Sequence, residues 1–324
     1  MVFSFASKGG YSMDDEYSRI YDELIRNKSK YVIVDYDPQS KNHIYRPFRH
    51  NVTATALNDL YNLIIDNIVF YAYSENEIMT KNEMGMLEDL RAAAMYAFSE
   101  RLPKRLNPDS DGTVGEVLLD LIIQVFEPKS QKLIARAKLT EVEKRKYEIT
   151  GYDALYFTLQ DEQITLWLGQ AKAGTEQYCK KGIKEDLNTK FTLDYFADTA
   201  FYIADRSESP ELTSLLKQIN KVCFEAQKNK WTKTKKIDML HNLLIKNNVK
   251  IRIPCLLAYT SDIYKSDDIN REISDIVNKM QKYYDEERFE VDMGLPYEIR
   301  FYIFPIKDVS SLRNRLVKLK KEVV

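Results

Sequence analysis

Two apolar runs rich in Leu, Ile, Tyr, Phe and Trp lie between residues 151 and 172, GYDALYFTLQDEQITLWLGQAK, separated by the polar segment Gln160-Asp161-Glu162-Gln163. That pattern predicts a β-hairpin. Strand side chains repeat with period 2. The second strand therefore places Ile164, Leu166, Leu168, Gln170 and Lys172 on one face and Thr165, Trp167, Gly169 and Ala171 on the other. An Asp opens the hairpin, and two polar groups close an otherwise apolar face.

Helical spacing marks residues 17–26, 53–70 and 78–100, and residues 31–35 read as a strand, with Pro38 and Pro47 bracketing a polar loop. Residues 101–108 are rich in breakers. Residues 114–126 are apolar all round, as in a buried helix, preceded by cap candidates in 109–113. Glu116 lies in its first turn. An acid there complements the helix dipole by ~0.3–1 kcal/mol, and this capping role stands beside any chemical one. Residues 133–139 form a strand candidate, 141–146 a charged connection, and 175–205 a long helical region. Residues 211–250 read as two helices joined near Trp231. Residues 251–259 form a strand in which Pro254 argues for an end or an edge. A helix over 268–290, a strand over 297–304 and a basic helix over 307–324 complete the chain. The expected division is an accessory α/β region, 1–108, and a second domain, 109–324, with a helical insertion at 210–250.

The 324 residues are 44% hydrophobic and 30% charged, which supplies a core of globular size. The net charge of −1 gives no global field for nucleic acid. Lysines are segregated, however. Lys180, Lys181 and Lys184 fall on early turns of the helical region after the hairpin. Lys233, Lys235 and Lys236 fall in a segment where lysines far outnumber acids. Both groups are candidates for phosphate contacts, and the bland alternative is a solvated helical face. Three widely spaced cysteines without CxxC spacing predict reduced thiols, and three His disfavour a zinc site. No leader and no apolar run of about 20 residues is present, so a cytoplasmic protein without membrane contact is expected. No Gly-rich Walker loop appears.

The order helix with Glu116, strand, strand opening at Asp153, strand ending Gln170-x-Lys172, helix, strand resembles the PD-(D/E)xK nuclease superfamily. The resemblance implies an α-β-β-β-α-β core, a mixed sheet flanked by helices. The chemistry suits these residue types. A divalent cation, Mg²⁺ or Mn²⁺, takes oxygen ligands, here Asp153, the Gln170 carbonyl, the Ala171 backbone carbonyl and Glu116. Lys172 would orient water or offset transition-state charge. Each residue also has a structural alternative. Asp153 would be a turn residue, Gln170 a hydrogen-bonded amide and Lys172 a lysine reaching solvent.

GYDALYF followed by LWLGQAK, with Gly115-Glu116 upstream, is similar to the HamA family, the nuclease subunits of Hachiman anti-phage defence. The match is densest over residues 112–205. It implies a metal-dependent DNA nuclease that works with a superfamily 2 helicase partner, HamB. Gln170 departs from the acid expected there and removes one negative charge. Two alternatives are a catalytically silent subunit that docks on a helicase or DNA, and a restriction or repair nuclease acting alone.

Overall fold

The computed structural model describes residues 13–36, 44–103, 105–109, 111–127, 130–134, 138–142, 145–148, 151–207, 209–287 and 289–323. In chain order, α1 (Met13–Tyr21) continues through a π turn into α2 (Asn27–Val32), β1 (Ile33–Asp35) and β2 (Tyr45–His50). Next come α3 (Ala56–Ala72), α4 (Glu75–Glu83), α5 (Leu90–Glu100) and α6 (Thr113–Phe126). Five strands follow: β3 (Gln131–Lys132), β4 (Lys138–Val142), β5 (Arg145–Glu148), β6 (Ala154–Gln160) and β7 (Gln163–Gly174). Four helices come next: α7 (Glu176–Thr189), α8 (Leu193–Arg206), α9 (Thr213–Lys228) and α10 (Lys233–Lys246). The chain closes with β8 (Lys250–Thr260), α11 (Ile269–Asp285), β9 (Tyr297–Ile306) and α12 (Val309–Lys321).

One mixed sheet has the strand order β1-β2-β9-β8-β7-β6-β3, while β4 and β5 pair separately. β2, β9, β8 and β7 are mutually parallel. β1 flanks them antiparallel on one side; on the other, β6 runs antiparallel to β7 and β3 antiparallel to β6. Helices cover both faces. Leu256 and Ala258 of β8 join a core with α3, α5, α6 and α12, whereas Cys255 and Leu257 join a second core with α7 to α11. That alternation is the strand period expressed on a sheet buried on both sides. β1 and β2 share this sheet, so residues before 109 build the same layers. From α6 onward the chain passes through β3, the β4–β5 hairpin, β6, β7, α7, three further helices and β8.

The hairpin forms as its sequence implies. Gln160 pairs with Gln163, and Asp161 and Glu162 take φ of 49° and 62°, a two-residue turn with both central residues left-handed. Several expectations are corrected. Pro254 lies inside central β8, between β7 and β9. Opposite it stands Gly169, where an added Cβ would sit 3.2 Å from the proline ring. The missing side chain makes room for the ring. The helix over 78–100 is two, because Gly85 turns the chain with φ of 73°. The region 175–205 is also two, since Thr192 caps a new helix by accepting from the Tyr195 N–H. Pro47 belongs to β2 rather than to a loop; residues 37–43, including Pro38, lie outside the described residues. The strand expected over 133–139 is replaced by β3 and β4, and residues 135–137 lie outside the described residues. Among the described residues no helix is long and apolar enough to cross a membrane. All three cysteines are free and buried.

α6 is buried because it packs against α3 on one side and β7 on the other. A Cβ at Gly115 would lie 3.3 and 3.5 Å from the Cβ atoms of Ala173 and Ala171. At Gly169 it would lie 2.9 Å from both the Ala154 Cβ and a Leu119 methyl. This small-residue seam sets α6 close on the strand that ends in Gln170-x-Lys172. A buried polar knot fixes the helix further. Asp120 accepts from Tyr156, from Asn67 (2.9 Å) and from Gln124 (2.7 Å), and Lys132 stands 3.2 Å away. A charge taken from water is tolerated when its lone pairs are met in this way.

Candidate metal centre

β7 outruns β6. The last pair of the ladder is Ala154 with Gly169, and Asp153 enters it only by donating its N–H to the Gly169 carbonyl at 2.8 Å. The N–H of Ala171, two residues on, therefore points toward the missing β6 neighbour. The Asp153 carboxylate accepts it at 2.9 Å. In an extended strand the N–H and C=O of one residue face the same side, so the Ala171 carbonyl looks toward that edge too. Gly151, with φ of 139°, turns the chain into the hairpin. Its carbonyl accepts from Gln170 Nε2 at 3.2 Å.

Gln170 is fully buried. Its Oε1 accepts from Lys190 Nζ at 2.8 Å. Lys190 also reaches Asp186 at 3.1 Å, and the other oxygen of Asp186 lies 2.6 Å from Lys172 Nζ. One carboxylate of α7 thus holds two ammonium groups. Gly182 lets the Lys172 stem cross α7, since a Cβ there would come within 2.9 Å of Lys172 Cε. Burial pulls the Lys172 pKa down, but the hydrogen bond and charge of Asp186, with Asp153 assisting, raise it above the ordinary lysine value. Lys172 is therefore a fixed cation at neutral pH. It is suited to orienting water or meeting anionic charge, and not to accepting a proton.

Asp153 and Gln170 lie opposite one another, one step beyond the terminal Ala154–Gly169 pair. With Lys172 they share the face covered by α7. Glu116 comes from the other face, where α6 packs on Ala171 and Ala173. It accepts from the Tyr71 hydroxyl. Its charge also raises the pKa of Lys320, although burial dominates and leaves that lysine lowered. Lys320 is itself paired at 2.7 Å with Asp111, which accepts from the Thr113 N–H at the start of α6. Among the described residues no three of His, Cys, Asp or Glu are grouped to hold a metal ion. At the open edge of β7 the Asp153 carboxylate meets the Ala171 N–H, with the Ala171 carbonyl directed to the same edge, while the Gln170 amide oxygen is turned to Lys190. An all-oxygen set of this kind suits a hard divalent cation.

Most lysines expected to meet phosphate are locally engaged. Lys180 pairs with Glu176 at 2.9 Å and lies over Tyr283, and Lys184 pairs with Glu287 at 2.7 Å. Lys233 bridges Asp194 and Asp198 at 2.7 and 3.3 Å, and Lys236 donates to the Ala197 carbonyl. Lys235 lies 4.5 Å over the Trp231 ring, and Lys181 is exposed. Sequence reasoning missed Asp186 and Lys190. A signal existed. Asp186 falls on the buried stripe of α7 with Cys179 and Ile183, and an acid on an apolar stripe needs a buried partner. Tyr71 carried no signal, being one of many apolar residues on α3.

A family model described as HamA matches residues 21–319 of the chain. A search of curated proteins finds no significant match.

Proposed function

The chain belongs to the HamA family, and from that premise we propose that it is the metal-dependent DNA nuclease subunit of a Hachiman anti-phage defence system, with a PD-(D/E)xK-type centre. The observation that carries this reading is the shared face of Asp153, Gln170 and Lys172 at the open end of β7, with the Ala171 amide fixed to Asp153. Asp153, the Ala171 carbonyl and the Gln170 oxygen would hold Mg²⁺ or Mn²⁺, and Glu116 would add a carboxylate from α6. When bound, the cation supplies Lewis-acid activation of the phosphate and of the attacking water. Lys172, kept charged by Asp186, would offset the charge that develops on the phosphoryl oxygens. A helicase partner, HamB, would present the DNA.

The test is cleavage of plasmid and linear DNA by the purified chain, alone and with a HamB-type helicase, with Mg²⁺, with and without ATP. Cleavage lost in Asp153→Ala and in Lys172→Ala supports the site. Variants that cut as well as the parent remove it. One observation favours a second reading, a silent subunit that docks on its partner or on DNA. Both polar atoms of Gln170 are already engaged, by Lys190 and by the Gly151 carbonyl. Partner binding retained without any Mn²⁺ binding would support that reading.

A further inference from the structure

On the side built by α8, α9 and α10, aromatic rings stand in solvent among lysines. Phe201 and Tyr202 are each 45% exposed and Phe224 is 61% exposed. Phe224 lies in a row with Lys217, Lys221 and Lys228. Steps of four, three and four residues keep one helical face, and all four side chains are exposed. At 1.5 Å per residue the row is about 16 Å long. Beside it a cleft of about 450 Å³ opens, walled by Phe201, Phe224, Trp231 and the stems of Lys233 and Lys236. Residues 213–246 carry eight lysines against two acids, Glu225 and Asp238.

The row also leads somewhere. Phe201 and Tyr202 meet edge to face, with ring centroids 5.8 Å apart. Tyr202 lines a crevice with Gly151, Tyr152 and Thr199, the residues immediately before Asp153 and the helix beside them. Through Tyr202 the aromatic surface thus reaches the chain segment that precedes Asp153.

We propose that this surface binds single-stranded nucleic acid, with bases stacked on Phe224, Phe201 and Trp231 and phosphates met by Lys217, Lys221 and Lys228. The chemistry selects this occupant. A phenyl ring set between lysines one turn away on either side suits a polyanion with apolar faces. A protein partner would place that ring in an interface core, where lysine is depleted. Only unpaired bases offer a face to stack on, because duplex bases cover one another. Lys233 and Lys236, tied to α8, shape the cleft wall. Delivery of the strand to Asp153 rests on the nuclease reading; binding by the aromatic row does not.

The two are separated by measuring binding in EDTA, where no metal-dependent cleavage occurs. Anisotropy of a labelled 20-nucleotide oligo(dT) and of a blunt 20-base-pair duplex is read for the parent, Phe224→Ala/Trp231→Ala and Phe224→Tyr/Trp231→Phe. The alanine pair should lose about tenfold or more in oligo(dT) affinity, by the usual size of base stacking. It should change duplex affinity less than twofold, and the aromatic pair should restore the parent value. Trp167 is fully buried, so oligo(dT) should quench the fluorescence of Trp231. Lys221→Glu/Lys228→Glu should weaken binding and flatten its salt dependence. Unchanged oligo(dT) affinity in the alanine pair, or parent binding of duplex as tight as of oligo(dT), overturns the proposal and leaves the cleft to a protein partner. Aromatic-dependent binding by a chain that never cuts DNA with Mg²⁺ would uphold it and refute the nuclease reading instead.

Discussion

Gly169→Ala tests whether the tight seam under the candidate centre sets its geometry. The added methyl would lie 2.9 Å from the Ala154 Cβ, 2.9 Å from a Leu119 methyl and 3.2 Å from the Pro254 ring. Ordinary carbon contacts are about 3.5–4.0 Å. Only the Leu119 methyl can yield by rotating. The Ala154 and Pro254 atoms move only with β6 and β8, so relief requires β7 to shift by some tenths of an ångström. Overpacking of a dense core costs about 1–3 kcal/mol, and with two rigid walls of three the upper half of that range is expected. For a chain of this size that is a fall in Tm of roughly 3–4 °C. The protein stays folded at 25 °C, yet Gln170 and Lys172 move relative to Asp153. Because a displacement of about 1 Å can cost a hundredfold in rate, metal-dependent cleavage should fall by about tenfold or more. Thermal melts and plasmid cleavage read the two effects. Leu119→Ala removes the one yielding contact. The double variant should therefore be more stable than the sum of its parts by about 1 kcal/mol. A Gly169→Ala protein that melts within 1 °C of the parent and cuts as well, or a double variant that is strictly additive, would refute the seam.

Three further outcomes follow from the same geometry. Gln170→Glu trades the donation to the Gly151 carbonyl for a charge-assisted bond from Lys190; it should tighten Mn²⁺ binding about tenfold by calorimetry, about 1.4 kcal/mol, and equal affinity would remove residue 170 from the ligand set. Asp186→Asn takes away the charge that holds Lys172 above its ordinary pKa, so burial should bring that lysine down, as followed by NMR titration of its side chain; an unmoved Lys172 refutes the pairing. His50 has its pKa lowered to about 4, chiefly by burial, and it accepts from the Lys307 N–H at 3.0 Å, which protonation would oppose. The unfolded chain, with the ordinary value near 6.5, binds the proton first, so this stability is present above about pH 6.5 and is lost as pH falls toward 4. Between pH 7 and 5 the loss is about 2 kcal/mol, and urea denaturation should show that part of the slope missing in His50→Gln.

The hairpin, its turn and the shared face of Gln170 and Lys172 were legible because period 2 survives burial on both sides of β7. α6 was legible because nine of the thirteen residues from 114 to 126 are large and apolar and stand on every side of the helix, which admits one environment. Pro254 misled because proline, which cannot donate to the ladder, is rare inside a central strand, and here Gly169 leaves room for its ring. Gly85 hid the break between α4 and α5 because apolar spacing continued across it. The Lys190–Asp186–Lys172 chain joins α7 to β7 through contacts that no local spacing records, and only the buried position of Asp186 hinted at it.

Around Gln170 the charges balance: Lys172 and Lys190 against Asp153 and Asp186. A chain with an acid at position 170 gains a third negative charge in a place removed from water. It must then draw a cation more strongly, or keep its basic partner on α7 more tightly. Positions 170 and 190 should therefore change together among related chains, and residue 190 is the one to read first when deciding what a glutamine at 170 means.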